Sequence, residues 1–208
     1  MTERPWEIWD KEEVNNIERA WGSPEGGKGR HQALIERVVG LIKGKSVLDV
    51  GCGLGHIYGA LKHAKKVDIE TYFGIDSSPA MVEKASSHFG GGLFSVGDAY
   101  DLSALSCADT VVCLDVVKHL PETWPVLEQL WSKAEKCVIL VTNVGEKQQT
   151  RKTPAGGGKY LIYRVETVEN LMTLFNRLSD VGKIEQFVFD GKKNTVIFRV
   201  ERSRPASR

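Results

Sequence analysis

The chain has 208 residues, 41% hydrophobic and 26% charged, which suits one domain with a substantial core. Lys and Arg total 28 against 27 Asp and Glu, and a net charge of +1 gives no global case for nucleic acid or an anionic membrane as partner. No apolar run approaches the roughly 20 residues of a bilayer span, and the charged start MTERPWEIWDKEEVNN lacks a signal-peptide pattern. Cys52, Cys107, Cys113 and Cys137 form no CxxC pair, so free thiols in a cytoplasmic protein are expected.

In chain order, KEEVNNIERAW and RHQALIERVVGLI predict two helices joined by the Gly-rich GSPEGGKG, so that residues 1–44 form a helical cap on the domain of residues 45–202. Apolar, β-branched runs follow at 46–50, 71–75, 93–96, 109–114 and 137–142. Segments of helical spacing separate them, such as Ile57 with Leu61, or Met81, Val82 and Ala85. This alternation predicts βαβ units and a mostly parallel sheet covered on both faces. After the fifth run, GEKQQTRKTPAGGGKY (145–160) carries Lys147, Arg151, Lys152 and Lys159 against Glu146. Its glycines and length predict a mobile loop at the carboxyl edge of the sheet, there to recruit an acidic acceptor or simply to be solvated. TVENLMTLFNRL (167–178) has the pattern of an amphipathic helix. KIEQFVF and NTVIFRV, separated by DGKK, predict an antiparallel hairpin.

Residues 49–55 read D-V-G-C-G-L-G, where the first apolar run feeds a helix. One glycine serves a plain turn; three favour a nucleotide-containing ligand lying against the backbone outside a strand end. The dinucleotide fingerprint G-x-G-x-x-G fails, because His56 or Tyr58 occupies its third glycine position.

G-x-G-x-G two residues after an acid instead resembles motif I of the class I S-adenosylmethionine-dependent methyltransferases, in their small-molecule, methyltransferase-11-like type. YFGIDSSPAMVEKA (72–85), FSVGDAYDL (94–102) and ADTVVCLDVVKHLP (108–121) resemble that family's motifs at the second, third and fourth strands. The resemblance implies a Rossmann-like α/β fold with a seven-stranded, mostly parallel sheet and an antiparallel C-terminal hairpin. It implies S-adenosyl-L-methionine as cofactor and methyl transfer to oxygen or nitrogen of a small-molecule acceptor. Methylation of protein or RNA, and a catalytically silent cofactor-binding module, stand as alternatives; N/D-P-P-Y/F, the motif of base and amide N-methylases, is missing after strand four.

By the same resemblance, Asp49 attracts the cofactor's amino group, Gly51 and Gly53 lie against its methionine part, and Asp76 holds the ribose. Ser77, Met81, Asp98 and Ala99 flank the adenine, while Leu114 and Asp115 border the methyl-transfer site. Arg30 is placed on the cofactor carboxylate, beside His31. Local alternatives stay open: Asp76 as a helix cap, Asp98 in a turn and Met81 as core. His119 is the candidate proton acceptor for a hydroxyl, or else a packing histidine bonded to backbone. Lys118 stands where the family often has Glu, and like-charge repulsion from it on His119 is expected to be small. Trp6, Trp9 and Trp21 are read as a lid over the acceptor or a hydrophobic cluster on the sheet's flank. The histidines have no metal-ligand spacing, and no metal is expected.

Overall fold

In the computed structural model, residues 14, 18, 21–24, 31–64, 69–156, 159–189 and 194–203 are described. Helix α1 (Gln32–Val39) precedes strand β1 (Ser46–Val50), and α2 (His56–His63), β2 (Thr71–Asp76), α3 (Pro79–Phe89) and β3 (Phe94–Val96) follow. Strand β4 (Ala108–Leu114) leads through a 3-10 turn (Val117–His119) to α4 (Trp124–Lys133) and β5 (Ala134–Asn143). After these come β6 (Gln149–Gly156), β7 (Lys159–Val165), α5 (Val168–Phe175), β8 (Val181–Val188) and β9 (Thr195–Arg202).

Seven strands form one sheet in the order β3-β2-β1-β4-β5-β9-β8. The five from β3 to β5 are parallel, and β9 pairs antiparallel with both β5 and β8. This is the Rossmann-like sheet with its antiparallel terminal pair. Between β1 and β4 the connections leave in opposite directions, and such a switch point opens a crevice at the carboxyl ends of the strands.

Strand alternation explains the two cores. Leu48 and Val50 of β1 face a layer containing Leu127 and Leu130 of α4 and Leu171 and Phe175 of α5. Val47, one residue out of phase, joins Leu34 and Val38 of α1 and Ile57 and Leu61 of α2 on the other face. Both faces are covered, which is why the central strands read as nearly unbroken apolar runs. Ser78 caps α3 by accepting from the Met81 N–H at 3.2 Å, with Pro79 as first helical residue. Thr167 caps α5 in the same way through the Asn170 N–H. Cys52, Cys113 and Cys137 are buried free thiols, and Cys107 is exposed.

The segment 145–160 corrects an expectation. Instead of a mobile loop, it is the first half of an arm in which β6 pairs antiparallel with β7 in a separate two-stranded sheet. Pro154 is tolerated because β6 has a partner on one side only. Apolar anchoring comes from Ile162 in β7, which is buried. Lys147, Arg151 and Lys152 are exposed on the arm. Val14, Glu18 and Trp21 are helical, as the first predicted helix requires. Trp6, Trp9, Arg30 and the DGKK turn lie outside the described residues. Among the described residues no helix is long and apolar enough to cross a membrane.

Candidate active site

A cavity of about 340 Å³ opens at the β1/β4 switch point. Its floor is the loop after β1. Gly51, Gly53 and Gly55 all adopt positive φ, at 76°, 52° and 82°. Two of them need glycine for different reasons. A Cβ on Gly51 would sit 2.1 Å from Val116 Cγ2, so this turn packs against the end of β4. A Cβ on Gly53 would meet nothing within 4 Å, which leaves its backbone bare toward the cavity. The N–H groups of Gly51 and Cys52 both donate to the Ile75 carbonyl, at 2.7 and 2.9 Å, and tie the loop to β2.

Asp49 is 1% exposed at the end of β1. Tyr72 donates its hydroxyl to Oδ2 at 2.7 Å, whereas Oδ1 has no hydrogen-bond partner among the described residues. Burial, reinforced by repulsion from Asp76 and opposed by the Tyr72 bond, raises its pKa from 3.8 to about 7. A buried carboxylate oxygen without a partner on a cavity wall carries a desolvation cost that a cation or donor placed there would offset.

Asp76 ends β2, and its Oδ1 and Oδ2 accept the N–H groups of Ser78 and Gly53, each at 2.9 Å. The helix cap is Ser78, not Asp76, which removes the capping alternative. Burial raises the Asp76 pKa, against the opposing pull of the two N–H groups. Each oxygen keeps further acceptor capacity toward the cavity. Asp98 accepts the Tyr100 N–H at 2.9 Å, so the turn reading holds, and it lines the cavity as well. Met81 likewise serves both readings: it packs with Leu54 and Val14 and is part of the wall. Ser77 and Ala99 also border the cavity.

The opposite end is built by the exit of β4. Leu114 and Asp115 line it, and Asp115 adopts φ 62°, strained for a residue with a Cβ. Its Oδ2 lies 3.0 Å from Lys118 Nζ, which also donates to Asn143 Oδ1 at 3.3 Å. Lys118 therefore spends its charge on Asp115 and the end of β5. His119 turns to another partner: its Nδ1 lies 3.0 Å from the Ile162 carbonyl on the arm. A carbonyl only accepts, so Nδ1 carries the proton and the lone pair of the neutral ring falls on Nε2. The backbone-bonding alternative is thus also present, in a histidine that lines the cavity.

The structure thus brings Asp49, Gly51, Gly53, Asp76, Ser77 and Met81 to one cavity with Asp98, Ala99, Leu114, Asp115 and His119. Arg30 lies outside the described residues. Trp21 reaches the wall and meets His31 in a tilted ring contact, centroids 4.1 Å apart, while His31 itself stays outside the lining. Sequence reasoning missed Tyr72, whose signal was a hydroxyl inside an apolar strand. It also missed Asn143 and Tyr163, whose partners lie 20 or more residues away.

Fold and cavity together define a methyltransferase. The family model described as a methyltransferase domain matches residues 41–186, well over half of the chain, and the chain belongs to that family. Among solved structures it is similar to magnesium protoporphyrin IX methyltransferase from Synechocystis PCC 6803 with bound SAM. That match has 20% identity over 94% of each chain and a TM-score of 0.66. A SAM-dependent methyltransferase from Thermotoga maritima is 15% identical, over 95% of this chain and 99% of that one, with a TM-score of 0.67. A chain from the complex between the Haloferax volcanii Trm112 methyltransferase activator and a methyltransferase is 16% identical, with 98% and 97% covered and a TM-score of 0.66. At these identities the likeness speaks for the fold. No curated protein sequence matches significantly.

Proposed function

We propose that the protein transfers the methyl group of S-adenosylmethionine to an oxygen or nitrogen of a small-molecule acceptor. The observation that carries this reading is the pair Asp49 and Asp76, flanking one bare glycine loop on one cavity, with an oxygen of Asp49 left unsatisfied. The sulfonium cofactor supplies a methyl group already activated for in-line displacement.

The protein's task is then to bind, orient and accept a proton. Asp49 Oδ1 receives the cofactor's ammonium, directly or through water, and the exposed backbone of Gly53 lies along the methionine part. Asp76 accepts both ribose hydroxyls on the lone pairs that Ser78 and Gly53 leave. Met81, Ser77 and the Asp98–Ala99 turn enclose the adenine. At the far end, His119 Nε2 would take the proton of an acceptor hydroxyl as that oxygen receives the methyl group.

Calorimetry tests the reading: S-adenosylmethionine and S-adenosylhomocysteine bind while NAD does not. Equal binding of NAD, or no binding of either sulfur compound, contradicts it. The exposed cations of the arm favour a second reading, methylation of RNA or protein. Ribonuclease- or protease-sensitive label after incubating extract with labelled cofactor would favour that reading instead.

A further inference from the structure

Glu166, just past the end of β7, is a carboxylate with 3% exposure that is not itself part of the cavity lining. It is held from several directions. Thr123, ahead of α4, donates its hydroxyl to Oε1 at 2.8 Å. Gln148, ahead of β6, and Asn170 of α5 donate amide N–H groups to Oε2 at 3.0 and 2.6 Å. Arg164 of β7 forms an ion pair with Oε1, Nε to oxygen at 2.9 Å, and its other arm reaches the Pro121 carbonyl. The Glu166 carbonyl also accepts the Gly145 N–H at 2.9 Å, closing the base of the arm.

The arm belongs to a sheet of its own, so no ladder of the main sheet fixes its angle. Its described side-chain bonds to the body cluster at two places. One is the Glu166 base. The other is the 3-10 turn and the neighbouring end of β5, where Ile162 accepts from His119 and Tyr163 donates to Asn143 Oδ1 at 3.3 Å. Ile162 lies four residues before Glu166, about 13 Å along an extended strand. A small tilt at the base therefore displaces the carbonyl that orients the imidazole.

We propose that Glu166 is a positioning residue for His119: by latching the base of the arm to the body, it holds the Ile162 carbonyl where it fixes the imidazole as the Nδ1–H tautomer. The free imidazole side chain favours the other tautomer, with the proton on Nε2; once the latch is lost, the Ile162 carbonyl no longer holds the proton on Nδ1, and in that other tautomer Nε2 is no longer a base. The consequence for turnover rests on His119 being the proton acceptor in the reading above, whereas the tautomer itself does not. Glu166→Gln keeps the shape but turns an NH2 toward donors that now meet an oxygen, and so weakens the latch.

The test is two-bond proton–nitrogen NMR of the full chain, labelled with nitrogen-15, at alkaline pH where imidazoles are neutral. His119→Gln assigns the signal. His56 supplies an internal reference, because its Nε2 donates to the Gly22 carbonyl at 2.9 Å and it must show the opposite tautomer. Wild type is expected to show His119 as Nδ1–H. Glu166→Gln is expected to move it to Nε2–H with His56 unchanged and S-adenosylhomocysteine affinity intact, and to lower kcat roughly tenfold or more. Thr123→Val, which removes one donor and no helix cap, moves the signal the same way by less; it decides the matter if Glu166→Gln does not fold. An Nε2–H tautomer in wild type overturns the proposal, as does an unchanged His119 signal in a variant that only melts earlier. Failure of the wild-type protein to bind S-adenosylmethionine overturns the functional reading and leaves the tautomer result standing.

Discussion

The two ends of the cavity are built by different means. At the β1–β3 end, each polar group sits within a few residues of a strand terminus and is held by the parallel strands and their loops, Asp49 by Tyr72 of β2 among them. Asp76 is fixed by Ser78 and Gly53, and Asp98 by Tyr100. At the β4 end, Lys118 is shared between nearby Asp115 and Asn143 of β5, and His119 is held from outside the main sheet, by Ile162 of the arm, 43 residues on. Construction within the parallel sheet itself suits a constant ligand. Construction from a separate arm lets one end vary while the other stays fixed, which suits a constant cofactor and an acceptor particular to the enzyme.

The largest effect expected from breaking the fixed end is at Gly51. Gly51→Ala should lower stability by roughly 3 kcal/mol or more, from overpacking against Val116 and a strained positive φ. Gly53→Ala, with open space around it, should lose only about 1 kcal/mol of stability yet weaken cofactor binding. Equal melting temperatures for the two variants would dissolve the distinction between packing glycine and ligand glycine.

Asp49 sharpens the comparison through pH. Its folded-state pKa of about 7 lies above the ordinary 3.8, so the folded protein holds the proton more tightly than the unfolded chain. Stability of the cofactor-free protein therefore falls as pH rises from about 4 to 7, and above 7 the whole penalty is present. Asp49→Asn, which keeps an oxygen for Tyr72, should stabilise that form above pH 7 by on the order of 2–4 kcal/mol, as chemical denaturation would measure. Destabilisation there would contradict the view of Asp49 as a strained receptor.

Smaller effects probe single contacts. His119→Ala should lower kcat by on the order of 10²-fold, or about 2.7 kcal/mol in the barrier, and remove the rise of rate with pH. Full activity with reduced thermal stability would make it a packing residue. Asp76→Ala should weaken S-adenosylhomocysteine by roughly 1.5–3 kcal/mol, and unchanged calorimetric affinity would remove the ribose assignment.

The same contrast explains what the sequence made legible. The five parallel strands and the terminal hairpin follow from local runs of apolar residues. Asp49, the glycines, Asp76 and Asp98 follow from spacing within a dozen residues of a strand end. The arm did not yield to such reading. Pro154 and the glycines at 156–158 have a loop's composition, and β6 is paired by β7 and tied at its base where Glu166 gathers donors from Thr123, Gln148 and Asn170. Sequence order says nothing of that gathering. His119 was visible as a candidate, but its tautomer depends on where the arm docks.

One measurement bears most directly on the division of the cavity: calorimetric titration of S-adenosylhomocysteine into Asp49→Asn and His119→Ala, side by side with wild type, at pH 8. Loss of the charge opposite the ligand's ammonium should weaken binding to Asp49→Asn by on the order of 100-fold, while His119→Ala binds as wild type does. Wild-type affinity in Asp49→Asn, or an equal loss in both variants, would contradict a cofactor end and an acceptor end that are built and used separately.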